Sequence, residues 1–236
     1  MGSIEFEASR LGTKEHWDSV YSRELTSFKE IGDEGEVWFG EESVYKMVQW
    51  AAKHVPPSND PMILDIGSGN GALLFSLFED ENYSPKLLYG IDYSEDAVIL
   101  AKNIAQKRGA AEITFNICDF LSQDPPIADV RRTADSINTW DLLLDKGTYD
   151  AIALGEKDNL GRSSVFSYPS RAARLIKPGG FFLITSCNFT EQELRANFAT
   201  EETGLLYHSS IKYATFTFGG QSGAKYSSIA FQKTTQ

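Results

Sequence analysis

The chain has 236 residues, 42% hydrophobic and 23% charged, with 22 basic against 33 acidic side chains and a formal net charge of −11. That length suits one well-buried α/β domain and is short for two. The acidity argues against nucleic acid as the main partner, because phosphate binding depends on Lys and Arg, and no apolar run approaches the roughly 20 residues needed to cross a bilayer.

The Met1 to Leu11 stretch is short and polar, without an apolar core or cleavage signal, so a soluble, cytoplasmic, monomeric protein is expected. Thr13 is placed to cap a helix that puts Trp17, Val20 and Tyr21 on one face, a stripe expected to pack. Gly32 to Gly40 is loop composition carrying the aromatic pair Trp38-Phe39, expected to line a pocket. From Glu41 the apolar residues Val44, Met47, Val48 and Ala51 follow helical spacing, and the helix stops before Pro56-Pro57.

Met62-Ile63-Leu64 then reads as an apolar strand that ends in Asp65-Ile66 and runs into the glycine loop Gly67-Ser68-Gly69-Asn70-Gly71. A strand apolar at nearly every position suits a parallel sheet covered on both faces, and a glycine loop opening into a helix (Leu73 to Phe78) lets backbone N–H groups approach a ligand. The spacing Gly67, Gly69, Ala72 satisfies the dinucleotide fingerprint too, which leaves NAD and S-adenosylmethionine (SAM) both open. Asp65 discriminates between them. A carboxylate just ahead of the loop repels a pyrophosphate, whereas SAM offers an ammonium and a sulfonium.

The alternation continues with strands over Lys86 to Ile91, Ile113 to Cys118, Trp140 to Asp145 and Phe181 to Cys187. Helices are expected over Ser94 to Arg108, capped by Ser94, over Ser164 to Ile176, and over Glu191 to Phe198. Pro125-Pro126 and Val130-Arg131-Arg132 suggest a surface excursion with a helical turn. Two terminal strands, Gly204 to Phe218 and Lys225 to Gln232, joined through Gly219 to Gly223, imply an antiparallel hairpin. The expected fold is α/β: a single Rossmann-like, doubly wound, mainly parallel seven-stranded sheet with a C-terminal antiparallel hairpin. Residues 1–55 form an N-terminal helical and loop extension covering the cofactor site, and 56–236 the SAM-binding domain. No residues remain for the substrate domain of a dehydrogenase.

Open α/β sheets bind ligands at the carboxyl ends of their strands. Asp65, Asp92, Asp119 and Asp145 fall at four such ends, and clustered carboxylates call for a cation. Asp92 is placed for the two ribose hydroxyls, Asp119 for the adenine amino group, and Tyr93 and Phe120 for packing near the ring. No metal is expected, since His16, His54 and His208 lack ligand spacing, and Cys118 and Cys187 form no C-x-x-C pair and are expected as buried free thiols.

The run Asp65 to Gly71, the acidic Asp92, and Leu175-Ile176-Lys177-Pro178-Gly179-Gly180 before an apolar strand resemble the motifs of the class I, seven-stranded SAM-dependent methyltransferases. Trp17-Asp18-x-x-Tyr21, Gly35 to Gly40, Asp145 to Asp150 and Thr185 to Thr190 resemble, more narrowly, the methyltransferase-like enzymes that modify a lysine of translation elongation factor 1-alpha. That resemblance implies a SAM-dependent protein-lysine N-methyltransferase with elongation factor 1-alpha as its protein partner. Trp38, Phe39 and Tyr149 are then the candidates for an aromatic wall around the target amine, and Asp145 for orienting it. Gly67, Ser68, Gly69, Asn70, Gly71 and Ser94, with Trp38 and Asp145, join the expected cofactor contacts. A small-molecule methyltransferase and a non-catalytic SAM-fold subunit are the alternatives. The stretches Gln123 to Thr139 and Glu156 to Ser167 are left as possible substrate contacts.

Overall fold

The structure, a computed structural model, describes residues 6–126, 140–157, 163–218 and 221–235. Nine strands and seven α-helices are described: α1 Lys14–Ile31, α2 Gly40–His54, β1 Ile63–Ile66, α3 Ala72–Glu81, β2 Leu88–Asp92, α4 Glu95–Lys107, β3 Thr114–Ile117, β4 Trp140–Lys146, α5 Thr148–Ala153, α6 Tyr168–Leu175, β5 Ile176–Ser186, α7 Glu191–Phe198, β6 Leu205–Ile211, β7 Thr215–Phe218, β8 Gln221–Ala224 and β9 Ser227–Lys233. Seven strands form one sheet in the order β3-β2-β1-β4-β5-β9-β6. The pairs among β1 to β5 are parallel, and β9 runs antiparallel to both β5 and β6.

Strand alternation divides the core in two. On one face Ile63, Leu88, Leu142, Leu144 and Leu183 pack against α1, α2, α3 and α4. On the other Leu64, Ile66, Leu143, Phe182 and Ile184 pack against α5, α6 and α7. Successive strand residues point to opposite faces, so a sheet covered on both sides needs near-continuous apolar strands, which is what β1 and β4 carry. The N-terminal helices share the first of these cores, through Tyr21 and Leu25 of α1 and Val44, Met47, Val48 and Ala51 of α2.

Several elements differ from expectation. Helix α1 runs on to Ile31, started by Thr13, whose side chain accepts from His16 N, and ended by Gly32 in the left-handed region. The expected Ser164 helix divides into a 3-10 turn over Ser164–Ser167 and α6, because Pro169 suits a helix's first turn. Strand β5 begins at Ile176 rather than Phe181, with a register shift where Lys177 to Gly180 bulge past β4. The long penultimate strand is two elements: β6 pairs with β9, while β7 and β8 make a separate ribbon. Helix α5 was not foreseen, being only six residues long. The Val130-Arg131-Arg132 turn and the hairpin glycines Gly219-Gly220 lie outside the described residues, as do parts of the two stretches left as possible substrate contacts. Among the described residues no helix is long and apolar enough to cross a membrane.

Helix α7 starts with a reciprocal cap: Thr190 Oγ1 accepts from Glu193 N at 3.3 Å, and Glu193 Oε2 accepts from Thr190 N at 2.7 Å. Thr190→Ala is expected to cost about 1 kcal/mol, read as a lower urea midpoint with an unchanged m-value.

Candidate active site

The strand order reverses between β1 and β4, and the cavity opens at the carboxyl ends of the strands on either side of that point. It measures about 370 Å³, within the roughly 300 to 1,000 Å³ usual for small-molecule sites. Its floor is the loop Gly67 to Asn70 after β1, and one side is Asp92-Tyr93 after β2 with Asp119-Phe120 after β3. The other side is Lys146-Gly147-Thr148 after β4, with Cys187-Asn188 after β5. The roof is N-terminal: Leu11, Gly12, Trp17, Tyr21, Glu36, Trp38 and Phe39.

The glycine loop is shaped by close approach. Gly69 sits at φ +54°, and a Cβ there would lie 2.4 Å from Tyr21 Oη. Gly67, at φ +69°, would meet Thr148 Oγ1, which itself donates to Ile66 O at 2.7 Å. Asn70 ties the loop to the roof, its Nδ2 donating to Glu34 O at 3.0 Å while its Oδ1 accepts from Ala72 N at 3.3 Å.

Asp92 is buried, accepting from Gly69 N at 3.0 Å and Ser94 N at 2.9 Å, and burial still pushes its carboxyl up to about 6. Asp65 is buried beside it; burial, with repulsion from Asp145 and Asp92, raises its pKa against the opposing pull of Lys146. No hydrogen bond to the Asp65 carboxylate is seen among the described residues. Burial lowers the Lys146 pKa in turn, against Asp65, Asp145 and Glu41, and its Nζ donates to Trp38 O at 2.8 Å. Asp119 accepts from Leu121 N at 3.0 Å and Ser122 Oγ at 2.7 Å, shaping its own turn at the cavity edge.

Ten of the expected site residues meet at the cavity: Trp38, Phe39, Gly67, Ser68, Gly69, Asn70, Asp92, Tyr93, Asp119 and Phe120. Asp65, Gly71, Ser94, Asp145 and Tyr149 are not among its lining residues and stand behind it. Asp145 has no exposed surface; it accepts from Thr148 N at 2.9 Å, Tyr149 N at 3.0 Å and the Tyr168 hydroxyl, and burial pushes it up to about 7. It caps α5 rather than facing a substrate. Tyr149 packs in the second core against Tyr168, Phe189 and Phe198, its hydroxyl accepting from Asn197 Nδ2, so it is no wall of the cavity. Ser94 stands at the head of α4 without a side-chain cap.

Trp17 was expected to pack only. It does touch the core, but its ring also meets Trp38 edge-on at 4.8 Å and lines the cavity, with Nε1 donating to Leu11 O at 2.7 Å. Nothing in a helical stripe tells a core contact from a roof contact, so this role had no sequence signal beyond the Trp itself. Cys187, expected as buried, is exposed and lines the cavity, while Cys118 is a buried free thiol. Asp150 arranges the Cys187 loop, accepting from Cys187 N at 2.7 Å and from the Ser186 hydroxyl. Among the described residues no cluster of three potential metal ligands exists.

The donor set fits SAM. Asp92, a buried carboxylate with a raised pKa, lines the cavity, and the lining residues Trp38 and Ser68 keep a buried Nε1 and Oγ without partners among the described residues. Residues 58–232 match the family described as a methyltransferase domain. Protein-lysine N-methyltransferase efm4 of Schizosaccharomyces pombe is 43% identical over 95% of this chain and 94% of its own length. The chain belongs to the SAM-dependent protein-lysine N-methyltransferases. EEF1A lysine methyltransferase 2 of Homo sapiens is similar to this methyltransferase at 38% identity, over 98% of this chain and 90% of that one. Among solved structures, the N-methyltransferase NodS from Bradyrhizobium japonicum, in complex with S-adenosyl-l-homocysteine, aligns at a TM-score of 0.61 with 14% identity, over 92% of this chain and 98% of that one. At that identity the likeness shows the fold alone.

The raised pKa values set a pH dependence for this methyltransferase. Burial favours the protonated forms of Asp92 and Asp65, so this contribution to stability is full below about pH 4 and is lost as pH rises through about 6 and beyond. A carboxylate that holds ribose hydroxyls accepts best when ionised, so SAM binding is expected to run the other way. Calorimetry is expected to show SAM affinity falling as pH drops from 7.5 to 5.5, with protons released on binding at the lower pH. Gly69→Ala is expected to weaken SAM at least tenfold in the same titration, because Tyr21 must move to admit the methyl group.

Proposed function

We propose that this enzyme methylates a lysine of translation elongation factor 1-alpha, and that it does so as a cytoplasmic monomer. The observation that carries the reading is similarity of 38 to 43% identity along nearly the whole chain to relatives named for that substrate or for protein-lysine methylation. In this reading residues 1–55 cover the cofactor site and 56–236 hold it.

Bound SAM supplies a methyl group activated by its sulfonium. Asp92 holds the ribose hydroxyls, Asp65 offers its carboxylate to the cofactor's positive charge, and Tyr93, Asp119 and Phe120 hold the adenine. The chain then has to position a lysine nitrogen in line with the methyl group and keep that nitrogen neutral. A free lysine has a pKa near about 10.4. Aromatic faces of Trp38 and Phe39 strip water from the amine, and the neighbouring Lys146 cation disfavours a second positive charge, so both act in the same direction. The proton leaves to water. Asp145 works at one remove, by holding Thr148 and Tyr149 at the start of α5 and so fixing the Lys146-Gly147-Thr148 wall.

Phe39 supports this role by its setting. Its backbone is left-handed at φ +65°, a strained conformation for a non-glycine residue, and its ring lies 5.0 Å from Tyr226 with 15° between planes. Phe39→Ala is expected to lower kcat/KM for the protein substrate more than tenfold while SAM affinity stays within threefold. Early melting with full activity per folded molecule would make Phe39 a packing residue instead.

The partner must bring basic residues to an acidic rim, and part of the acidity at that rim is already paired within the chain. Glu34 is engaged with Lys107 at 3.1 Å and with Arg108, and Glu42 with Lys46 at 3.1 Å. Glu36 and Glu41 are exposed and remain for a partner. Apparent affinity for elongation factor 1-alpha is expected to fall between roughly 50 and 300 mM salt, with SAM affinity nearly constant. Glu36→Gln with Glu41→Gln is expected to flatten that dependence, measured by methylation rates at subsaturating protein substrate. Insensitivity to salt in the parent enzyme would reduce the acidic surface to a solubility role.

A further inference from the structure

The lysines around the cavity are mostly committed. Lys146 donates to Trp38 O; Lys14 pairs with Asp18 at 2.7 Å; Lys46 pairs with Glu42 and donates to Lys212 O at 2.6 Å. Lys225 has no ion pair among the described residues and is exposed. It lies between the end of β8 at Ala224 and the start of β9 at Ser227, outside both sets of ladder pairings.

Its position is set beside two stretches that reach the active site. On one side the Lys225 Nζ stands 5.0 Å from the centre of the Tyr226 ring. That ring is buried and stacks on Phe39, which lines the cavity and presses on Gly147, where a Cβ would come within 3.0 Å of Phe39 Cζ. On the other side Ser227 pairs antiparallel with Ser186 at the end of β5, so the segment carrying Lys225 runs alongside Cys187, a lining residue contributed by the loop after β5. An unpaired amine is thus tethered beside the cavity that holds the methyl donor, on an aromatic face of the kind that steadies a lysine cation.

We propose that Lys225 is methylated by its own molecule, as an intramolecular substrate of this active site. The ammonium first gives a proton to water. The neutral Nζ then attacks the methyl carbon of SAM, forming the N–C bond as the C–S bond breaks, and the electron pair returns to sulfur, leaving S-adenosylhomocysteine. Tethering replaces encounter: the amine is present at a high effective concentration and pays no association entropy. The reaction is slow near neutrality, because a lysine amine with a pKa near about 10.4 is almost wholly charged there, and it accelerates as pH rises.

The inference rests on the methyl-transfer activity, so the full chain is incubated with labelled SAM in parallel reactions, with and without elongation factor 1-alpha. Peptide mass mapping is expected to find a methyl group on Lys225 in the reaction without protein substrate. Lys225→Arg is expected to lose that label and keep SAM binding by calorimetry. The fraction modified at a given time is expected to be unchanged over about a hundredfold dilution of enzyme, and the rate to rise at least tenfold from pH 7 to pH 9. An unmodified Lys225 in a preparation that methylates elongation factor 1-alpha overturns this inference alone, as does a rate per molecule that falls in proportion to dilution. A preparation that binds SAM and labels neither substrate overturns the proposed function with it.

Discussion

Three carboxylates, Asp65, Asp92 and Asp145, are buried at the carboxyl ends of adjacent strands, and Lys146 is the cation within reach of two of them. Burying like charges together is costly, and the surrounding structure is arranged around that cost. Asp92 is met by two backbone N–H groups of the loops it joins, and Asp145 by two N–H groups and a tyrosine hydroxyl. Asp65 receives no such bond among the described residues, and Lys146 is the cation set against it.

The N-terminal segment is part of this arrangement rather than an addition to it. Helix α1 places Trp17 and Tyr21 over the glycine loop while Tyr21 and Leu25 share the core of the sheet. Asn70 binds the backbone at Glu34, Lys107 binds Gly32 O at 3.0 Å, and Lys146 binds Trp38 O, so three separate bonds draw the 32–38 loop down onto the sheet. The left-handed turn at Phe39 is tolerable because its ring is wedged between Gly147 and Tyr226 and because Gly40 N donates to Val37 O at 2.8 Å. Moving the roof means breaking several contacts together, which gives the cavity a defined shape before any ligand binds.

Charge works differently inside and outside. The net charge of −11 invites the idea of a broad acidic docking face. Much of the local acidity is already answered by Lys107, Arg108 and Lys46, leaving a few carboxylates at the rim. Interior carboxylates interact at short range and low dielectric, while rim carboxylates face water and are screened by salt.

The sequence by itself determined the sheet and the location of the site. Apolar alternation, the glycine loop and four aspartates at strand ends are local properties, and the period of a strand with the handedness of its crossovers carries them to one edge without further information. Which of those residues face the cavity was decided only by tertiary structure. Asp145 and Tyr149 read as site residues from their motif, yet Gly147 turns the chain at φ +89° and α5 starts at once, placing the carboxylate under the helix N-terminus and the ring in the core. Trp17 read as packing, and the path of the 32–38 loop made it a roof. Tyr226 carried no signal at all, because its partner Phe39 lies at the other end of the chain and only the return of β9 beside β5 brings the two rings together.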